Sequence, residues 1–417
     1  MRSPSAWAGE DGASMDPGPR AAFNRAWTPD LHRRYVERVE SMLGEVPFRL
    51  AETPFFLSPA LRDSLDRSAA EIVAQLSRPA LVAELSKAIP DHYRAPRMDP
   101  LPSCVQVDFA ITPAPGGGLE GKVVELQAFP SGYAMMIAFA RAWTDVLQSA
   151  PGLEGPWSCC VVPDARARRL LGDTILGGED PESVVLVDFE PKQQKTRPDF
   201  VATRQLFGVD AVCPTDLIKE GPRLFRRTPD GRQVQVRRIY NRMVFDELEK
   251  KRYQLPFAWS DDLDLTWCSH PNWYWVWSKA SLPHLNHPAV PRARFLSDLD
   301  SPPEDLSGYV LKPLFSFAGS GVVIDVRPLD LEHIPREQRG GWLLQEKITY
   351  APAIRTPDNL EVKAEVRVMM VRPPSAATLE PIIHLVRLSR GKMLGVDQNK
   401  GLDWVGASVG LWRPLPD

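Results

Sequence analysis

The amino-acid sequence predicts an α/β fold that also contains α+β elements, and three observations carry that prediction. Helical spacing of apolar residues fills the stretch from Pro29 to about Ile89, strand-like segments broken by turn residues begin at Pro102, and a strand–helix–strand order runs from Glu182 to Leu217. The last is a βαβ signal, which implies a partly parallel sheet with a crevice at its strand ends. At 417 residues, 43% of them hydrophobic, the chain has apolar surface enough for two or three packed units. The expected division is a tail at 1–28, helices and a β-hairpin at 29–151, an α/β unit at 152–268 and a further, β-rich unit at 269–417.

The tail is expected to be disordered, and its acidic residues and lack of an apolar run argue against a signal peptide. In SPALRDSLDRSAAEIVAQL, Ser58 is placed to cap a helix and Pro59 to fill its first position. Leu61, Leu65, Ile72 and Leu76 then fall on one packing face. Beyond Pro102, SCVQVDFAIT and KVVELQAF have strand composition, and PAPGGGLEG between them supplies a turn with left-handed backbone geometry, so the pair reads as an antiparallel hairpin. PSGYAMMIAFARAWTDVL follows as a helix.

In the α/β unit, ESVVLVDFEP reads as a buried strand, TRPDFVATRQLFG as a helix ending at Gly208, and VDAVCPTDL as the next strand. FRRTPDGRQVQVRRIYNRMVF reads as a hairpin turning at Pro-Asp-Gly. In the last unit, HPNWYWVWSKASLPHL is aromatic-rich and partly helical, and YVLKPLFSFAGSGVVIDV reads as strand, loop, strand. GWLLQEKITY, VKAEVRVMMVRP, EPIIHLVRLSR and KMLGVDQ extend the β-rich region.

Composition excludes several function classes. A net charge of -3 with 25% charged residues provides no overall field for nucleic acid or a membrane surface. The most apolar helical stretch, SGYAMMIAFARAW, is shorter than the roughly 20 residues a bilayer needs. The 5 cysteines are odd in number and lack metal-ligand spacing, which points to a reducing cytoplasm. His284 and His287 have no cysteine nearby to complete a zinc site, and GSG is not the Gly-x-Ser-x-Gly of a serine hydrolase. Neither a P-loop nor a strand-borne Gly-x-Gly-x-x-Gly occurs.

Against that background four groups of residues carry chemistry. Glu125 and Gln127 lie two apart on a strand and share a face, and Asp108 joins them if the hairpin pairs. Two carboxylates and an amide oxygen suit magnesium, especially with nucleotide phosphates completing the shell, although outward-facing acids on a hairpin give the same spacing. Lys312 is placed to aim an ammonium at phosphate, with Gly319, Ser320 and Gly321 closing a backbone cradle over it. Lys279 is either a second phosphate lysine or an exposed helix lysine. Gln345, Glu346, Lys347 and Ile348 fit either an adenine-lining strand or an amphipathic edge strand. Arg238 and Arg242 are placed to hold a carboxylate bidentately, or serve as salt-bridge residues. Trp273, Tyr274, Trp275 and Trp277 read as core or domain interface.

The order of these motifs resembles the ATP-grasp superfamily. Asp-Phe followed by Val-Val-Glu-Leu-Gln-Ala-Phe-Pro-Ser-Gly resembles its metal-bearing strands, Leu-Lys-Pro with a small-residue loop its phosphate lysine and mobile loop, and Leu-Leu-Gln-Glu-Lys-Ile its adenine-binding strand. Glu365-Val-Arg367-Val resembles a later strand whose arginine faces phosphate. The metal strands come first here, which resembles the circularly permuted branch of eukaryotic-type glutathione synthetase, with a helical N-terminal region and an inserted α/β substrate domain. That resemblance implies ATP and Mg2+ as cofactors, Glu125 and Gln127 as metal ligands, Lys279 and Lys312 on the phosphates, and Glu346 beside adenine and ribose. It adds Asn399, Lys400 and Ser408 as candidates on a closing loop. Gln127 stands where the family has asparagine, and Ser316 and Phe317 stand where glutathione synthetase has an acidic loop residue.

The implied activity is an ATP-dependent carboxylate–amine ligase working through an acylphosphate, in which Arg238, Arg242, Arg367 and Lys400 act on the reacting groups. A small-molecule kinase and a nucleotide-binding protein with decayed catalysis are the alternatives. The expected partners are a small carboxylate and an amine, with a homodimer allowed for and no nucleic acid or membrane. The hairpin is expected to lie against the Lys312 half of the chain.

Overall fold

The structure is a computed structural model and describes residues 17–315, 321–391, 399 and 401–414. Gly319, Ser320, Lys400 and the expected KMLGVDQ strand lie outside the described residues.

Four segments near the amino terminus are helical, Pro17–Ala26, Pro29–Leu43, Pro59–Leu76 and Pro79–Leu85. The last three each carry proline in the first turn, where its missing N–H costs nothing. Thr28 and Ser58 cap two of them, each hydroxyl accepting from the N–H three residues on at 3.2 Å. The Pro17–Ala26 helix corrects the expectation of a tail through residue 28. Phe23 is fully buried against Phe56 and Trp143, with ring centroids 6.0 and 5.7 Å away, and one buried aromatic with Ala22 beside it anchors a helix of low overall hydropathy.

The hairpin forms as Cys104–Pro113 and Leu119–Gln127. Its partners come from the far end of the chain. Glu361–Val371 pairs antiparallel with Cys104–Pro113, Glu380–Ser389 pairs with Glu361–Val371, and Gly406–Leu411 closes the run, with Phe55–Phe56 added in parallel. Asp108 sits opposite Glu125 on one side and Arg367 on the other, and Gln106 sits opposite Gln127. Directly paired residues share a face, so one side of this sheet is polar. The alternate residues Val105, Val107, Phe109, Val366 and Val368 are fully buried, and the Pro59–Leu76 and Tyr133–Leu147 helices pack on the sheet.

The middle of the chain forms a four-stranded parallel sheet, ordered Thr266–Cys268, Arg238–Asn241, Val184–Val187, Asp210–Val212. The Arg197–Phe207 helix crosses between two of these strands and stops at Gly208, whose φ of 73° suits the left-handed cap. The expected hairpin around Pro-Asp-Gly exists as Arg223–Arg227 and Gln233–Val236, but RIYN leaves it to join the parallel sheet. Only Arg237 separates these two strands, so no turn residue marks the change of sheet.

A third, smaller sheet orders Ala293–Phe295, Trp342–Glu346 and Tyr309–Pro313 antiparallel. It has its own apolar cluster, built around Leu296, Leu311, Leu331 and Leu344, apart from the main core. The strand expected after the glycine loop is reduced to a single bridge between Val323 and Leu311.

One carboxylate joins the first and middle units. Asp199, on the Arg197–Phe207 helix, accepts from the backbone N–H of Gly132 and Met135 at 2.9 and 3.1 Å, so it caps the Tyr133–Leu147 helix in place of a local residue. Arg242 donates to the same carboxylate at 2.6 Å, and both side chains are almost wholly buried. Asp199→Ala would leave a buried guanidinium without its counter-charge and two amides without their acceptor, and should lower unfolding free energy by about 3–5 kcal/mol. Denaturant unfolding of the variant checks this, and a loss under about 1 kcal/mol would mean water replaces the carboxylate.

Candidate active site

The pairing of the hairpin strands slips by one residue between Asp108 and Phe109, so Val124 has no ladder partner. Such a bulge frees a carbonyl and re-aims its neighbours. Lys312 uses it: its Nζ donates to Val124 O at 2.9 Å, across 188 residues of sequence. Val123 contributes further ties, donating its N–H to Ala289 O at 2.7 Å and accepting from Gln345 Nε2 at 3.4 Å. Ala128 N–H donates to Trp277 O at 3.0 Å. The second hairpin strand therefore lies against the 277–289 segment and the small sheet, and Lys312 comes to the polar face that bears Glu125.

Lys279 completes this group. It begins the short 3-10 turn Lys279–His284, where Ser278 caps the turn, and its Nζ stands 3.7 Å from Glu125 Oε2 with the lysine side chain 7% exposed. Two lysines from separate elements thus meet at adjacent residues of one strand, Lys279 at the Glu125 carboxylate and Lys312 at the Val124 carbonyl. Burial pushes the Lys312 ammonium down to about 8, with Glu125 opposing that fall and Lys279 adding to it. The cavity here, lined by Glu125, Gln127, Trp277, Lys279, Leu314 and Phe315, has a volume of about 30 Å³, room for little more than one or two waters.

The rest of the polar face is a closed ionic network. Arg367 forks onto Asp108, Nε to Oδ1 at 2.5 Å and Nη2 to Oδ2 at 2.7 Å, and also donates to Gln106 Oε1 at 2.8 Å. Arg387 bonds both Asp108 and Glu365, and Tyr350 donates its hydroxyl to Glu365 at 3.1 Å. Burial alone would raise Asp108, but Arg367 and Arg387 outweigh it and hold the carboxyl below its usual range. Burial raises Glu365, against the pull of Arg387. Both Asp108 oxygens are thus committed to arginine. Asp108, expected among the metal ligands, is held here by arginine, and Arg367, expected to face phosphate, pairs with it.

Magnesium would find a smaller donor set than the sequence suggested. Gln127 donates its amide N–H to Gln106 Oε1 at 2.8 Å, which leaves the Gln127 oxygen without a partner among the described residues. Gln127 and Glu125 both line the cavity, and one carboxylate with one amide oxygen fits an ion whose other ligands are phosphates and water. Among the described residues there is no cluster of three or more His, Cys, Asp or Glu able to hold a metal alone.

The other candidates are dispersed. Arg238 is committed to structure, donating to Ile175 O, Thr174 O and Thr266 Oγ1 at 2.9–3.0 Å, because it sits at the start of its strand beneath a helix C-terminus. Arg242, at the strand's other end, holds Asp199 and donates to Ser131 Oγ at 3.2 Å. Gln345 is fully buried beside the hairpin, its Oε1 unpaired. Glu346 accepts from Arg292 N–H at 3.2 Å, Lys347 reaches Asp325 at 3.1 Å, and Ile348 is half-buried just beyond the strand. Gly321 has φ 73° and approaches Pro313. Asn399 Oδ1 accepts from Ser389 Oγ at 2.9 Å, and Ser408 donates to Thr53 O at 2.6 Å within the large sheet.

Glu365 and Arg387 were missed, although Glu365 was legible as the same-face neighbour of Arg367 two residues on. Asp188 was missed as well. It ends the Val184–Val187 strand, is 4% exposed, and burial pushes its carboxyl up to about 7 despite Arg242 nearby.

No known family description matches the sequence, and no curated protein matches it. Among solved structures, the chain is similar to a glutathione synthetase-like effector from Globodera pallida in its apo form, at 14% identity and a TM-score of 0.56, over 87% of this chain and 95% of that one. The likeness shows the fold: the two proteins share a mixed α/β architecture. Among the described residues no helix is long and apolar enough to cross a membrane. All five cysteines are free and buried.

Asp188 gives a pH test of this side of the molecule. Its folded pKa lies above the unfolded value, so the folded state binds the extra proton and stability falls as pH rises from about 4 to about 7. Asp188→Asn should flatten that segment of the stability–pH curve and leave the protein more stable than wild type above pH 7. Parallel thermal melts across pH 4–8 measure it, and equal slopes for both proteins would place the Asp188 carboxyl in water.

Proposed function

We propose that this chain is an ATP-dependent ligase of the permuted ATP-grasp type, joining a small carboxylate to an amine through an acylphosphate. The observation that carries the reading is the meeting of Lys279 at Glu125 and Lys312 at the adjacent Val124 carbonyl, at the seam between the hairpin and the small sheet. Lys279 beside Glu125 and Lys312 on the neighbouring carbonyl concentrate positive charge at one place, which an anionic ligand can share. A triphosphate is such a ligand, and at an effective dielectric near 20 each lysine 4 Å from a phosphate charge contributes roughly 4 kcal/mol before desolvation is subtracted. The hairpin's early place in the chain, ahead of Lys312, supports the permuted order.

In this reading Lys279 and Lys312 bind the phosphates, and Glu125 with the Gln127 oxygen would hold magnesium, which when bound offsets phosphate charge and polarises the transferring group. The Trp342–Glu346 strand with Gln345 lines the base pocket, and Glu346 receives the ribose. Arg242 and Ser131, at the carboxyl end of the parallel sheet, are left to position the acid or the acceptor. A nucleotide does not fit the 30 Å³ cavity, so binding requires the small sheet, with its separate core, to part from the hairpin. Closure afterwards excludes water from the acylphosphate.

Turnover decides between this reading and its alternatives. Purified protein given ATP, magnesium and panels of acids and amines should release ADP only when both classes are present, with an amide as product. A stable phosphorylated product would make it a kinase. ATP binding without turnover would favour a nucleotide-binding protein, the reading that the single carboxylate in the donor set supports.

Two substitutions sharpen the site. Lys312→Met should weaken ATP binding at least about tenfold. It should also raise thermal stability below pH 8, because the folded lysine has a lowered pKa and a buried charge is removed; the gain should vanish above pH 10.5, where both states are neutral. Wild-type ATP affinity in this variant would remove the phosphate role. Gln127→Leu should raise the magnesium concentration needed for ATP binding more than it lowers the melting temperature, whereas Gln127→Glu should lower that concentration without a matching gain in turnover. Titration of ATP binding against magnesium in both variants reads this out, and unchanged metal dependence in both would leave Glu125 as the narrower ligand.

A further inference from the structure

A larger cavity than the one beside Glu125 lies elsewhere. It lies between the 95–99 connection and the Phe257–Trp267 segment and has a volume of about 150 Å³. Thr266 begins the edge strand of the parallel sheet and lines this cavity, and it is paired with Arg238 at the start of the next strand. The cavity is therefore at the amino end of that sheet, while Asp188 and Arg242 mark the carboxyl end, a strand length or about 13 Å away.

Its walls are aromatic. Trp259 and Trp267 have ring centroids 6.3 Å apart at 30°, and Phe257 meets Trp259 edge-on at 5.6 Å. Trp267 is half-exposed, so part of this surface faces open space. The His270 ring at the base of the cavity is already used, one nitrogen 2.9 Å from Pro96 O and the other accepting from Asn272 N–H.

The charges around the cavity are unevenly satisfied. Arg97 pairs with Asp262 at 2.6 Å and also donates to Leu263 O, and Lys219 pairs with Asp261 at 2.7 Å. Arg238 is spent on Ile175 O, Thr174 O and Thr266, and Arg372 on Leu101 O, Pro102 O and Ala376 O. Asp99 alone among these groups makes no hydrogen bond or close ion pair within the described residues. Burial raises its pKa, while Arg372 and Arg238 act against that rise from beyond contact. The cavity thus presents aromatic faces and one unanswered carboxylate, and every nearby cation already has an acceptor.

We propose that this cavity is a second ligand site, separate from the Lys279–Lys312 cleft, that takes a small primary amine with an aromatic body, the ring against Trp259 and Trp267 and the ammonium on Asp99. An ammonium gives the half-buried Asp99 carboxylate a charged hydrogen-bond donor, and the indole faces favour a cation beside them. An anion is disfavoured because it would meet the Asp99 charge. A neutral apolar ligand would fill the walls and leave the carboxylate as it is.

The test is fluorescence titration of the ATP-free full-length protein with phenethylamine, in parallel with 3-phenylpropionate, whose body is similar and whose charge is opposite. Phenethylamine should change the tryptophan emission saturably and 3-phenylpropionate should not. Asp99→Asn, which keeps the shape of the side chain, should weaken the amine about tenfold or more, the loss expected for a charge-assisted hydrogen bond. Trp267→Ala, with folding verified by thermal melt, should weaken it too, and Lys312→Met should leave it unchanged. The proposal is overturned if no saturable change occurs up to about 10 mM amine, if the acid binds as well as the amine, or if Asp99→Asn binds like wild type. Loss of amine binding in Lys312→Met with retention in Asp99→Asn would assign the amine to the first cleft and overturn the second site. None of these outcomes depends on ligase turnover, so the two readings stand or fall apart.

Discussion

The bond that organises this molecule is the fork of Arg367 on Asp108. The two residues are 259 apart in sequence and directly opposite in the sheet. They join a hairpin from the first third of the chain to three strands from its last sixth, so the parallel sheet and the small sheet are both inserted between strands of one sheet. Hydrophobic alternation alone would hold that pairing loosely, since Val105, Val107 and Phe109 differ little from one another as partners for Val366 and Val368. A slip of one residue would carry Asp108 to the helix-packed face, unpaired. Planar guanidinium on carboxylate is selective in a way that apolar packing is not. A buried ion pair of this kind gives little net stability, and specifying register is the use to which such pairs are best suited.

Once the register is set, the remaining polar face follows. Arg387 reaches both Asp108 and Glu365, so three strands share one network, and Gln106 links Arg367 to Gln127 on the fourth. The charges of Asp108 and Glu365 are absorbed there. Glu125 lies at the outer end of the same face, one bulge away from the Lys312 bond, and it meets lysines rather than arginines. The difference matters physically. A guanidinium fork holds a carboxylate in a fixed plane, whereas an ammonium is a point charge on a flexible stem that can exchange one anion for another. Rigid pairs lie toward the centre of the sheet and exchangeable ones at its seam with the small sheet.

The elements legible in the sequence were those with a local cause. Ser58–Pro59 announced its helix, Gly208 ended another, the glycine-rich turn closed the hairpin, and Glu125 and Gln127 shared a face by the period of the strand. What escaped had its cause far away. The Pro17–Ala26 helix is stable because Phe23 finds Phe56 and Trp143, which no local pattern encodes. Asp199 caps a helix 64 residues upstream, at the N–H of Met135, and the sequence reading saw only a residue in its own helix. Asp108 had the right neighbours for a metal ligand, and was reassigned by two arginines whose approach depends on the whole topology. Arg238 and Arg242, four apart and alike in sequence, fall at opposite ends of one short strand, so one serves a helix terminus and the other the carboxyl-end crevice.

Gln127 follows from the same arrangement. Asp108, Glu365 and Glu125 already place three carboxylates on this face, answered by Arg367, Arg387 and the lysines. A fourth negative group at position 127 would lie opposite Gln106, whose Oε1 already accepts from Arg367, and would draw that guanidinium away from Asp108. A neutral amide avoids the conflict: its N–H joins Gln106 on the network side, and its oxygen is left for the cleft. A donor set of one carboxylate and one amide oxygen binds free magnesium weakly, because that ion keeps its waters unless several anionic oxygens replace them. On the proposed function, the metal then enters with the triphosphate rather than before it. The register that Asp108 and Arg367 fix would in that way also set the order in which cofactors bind.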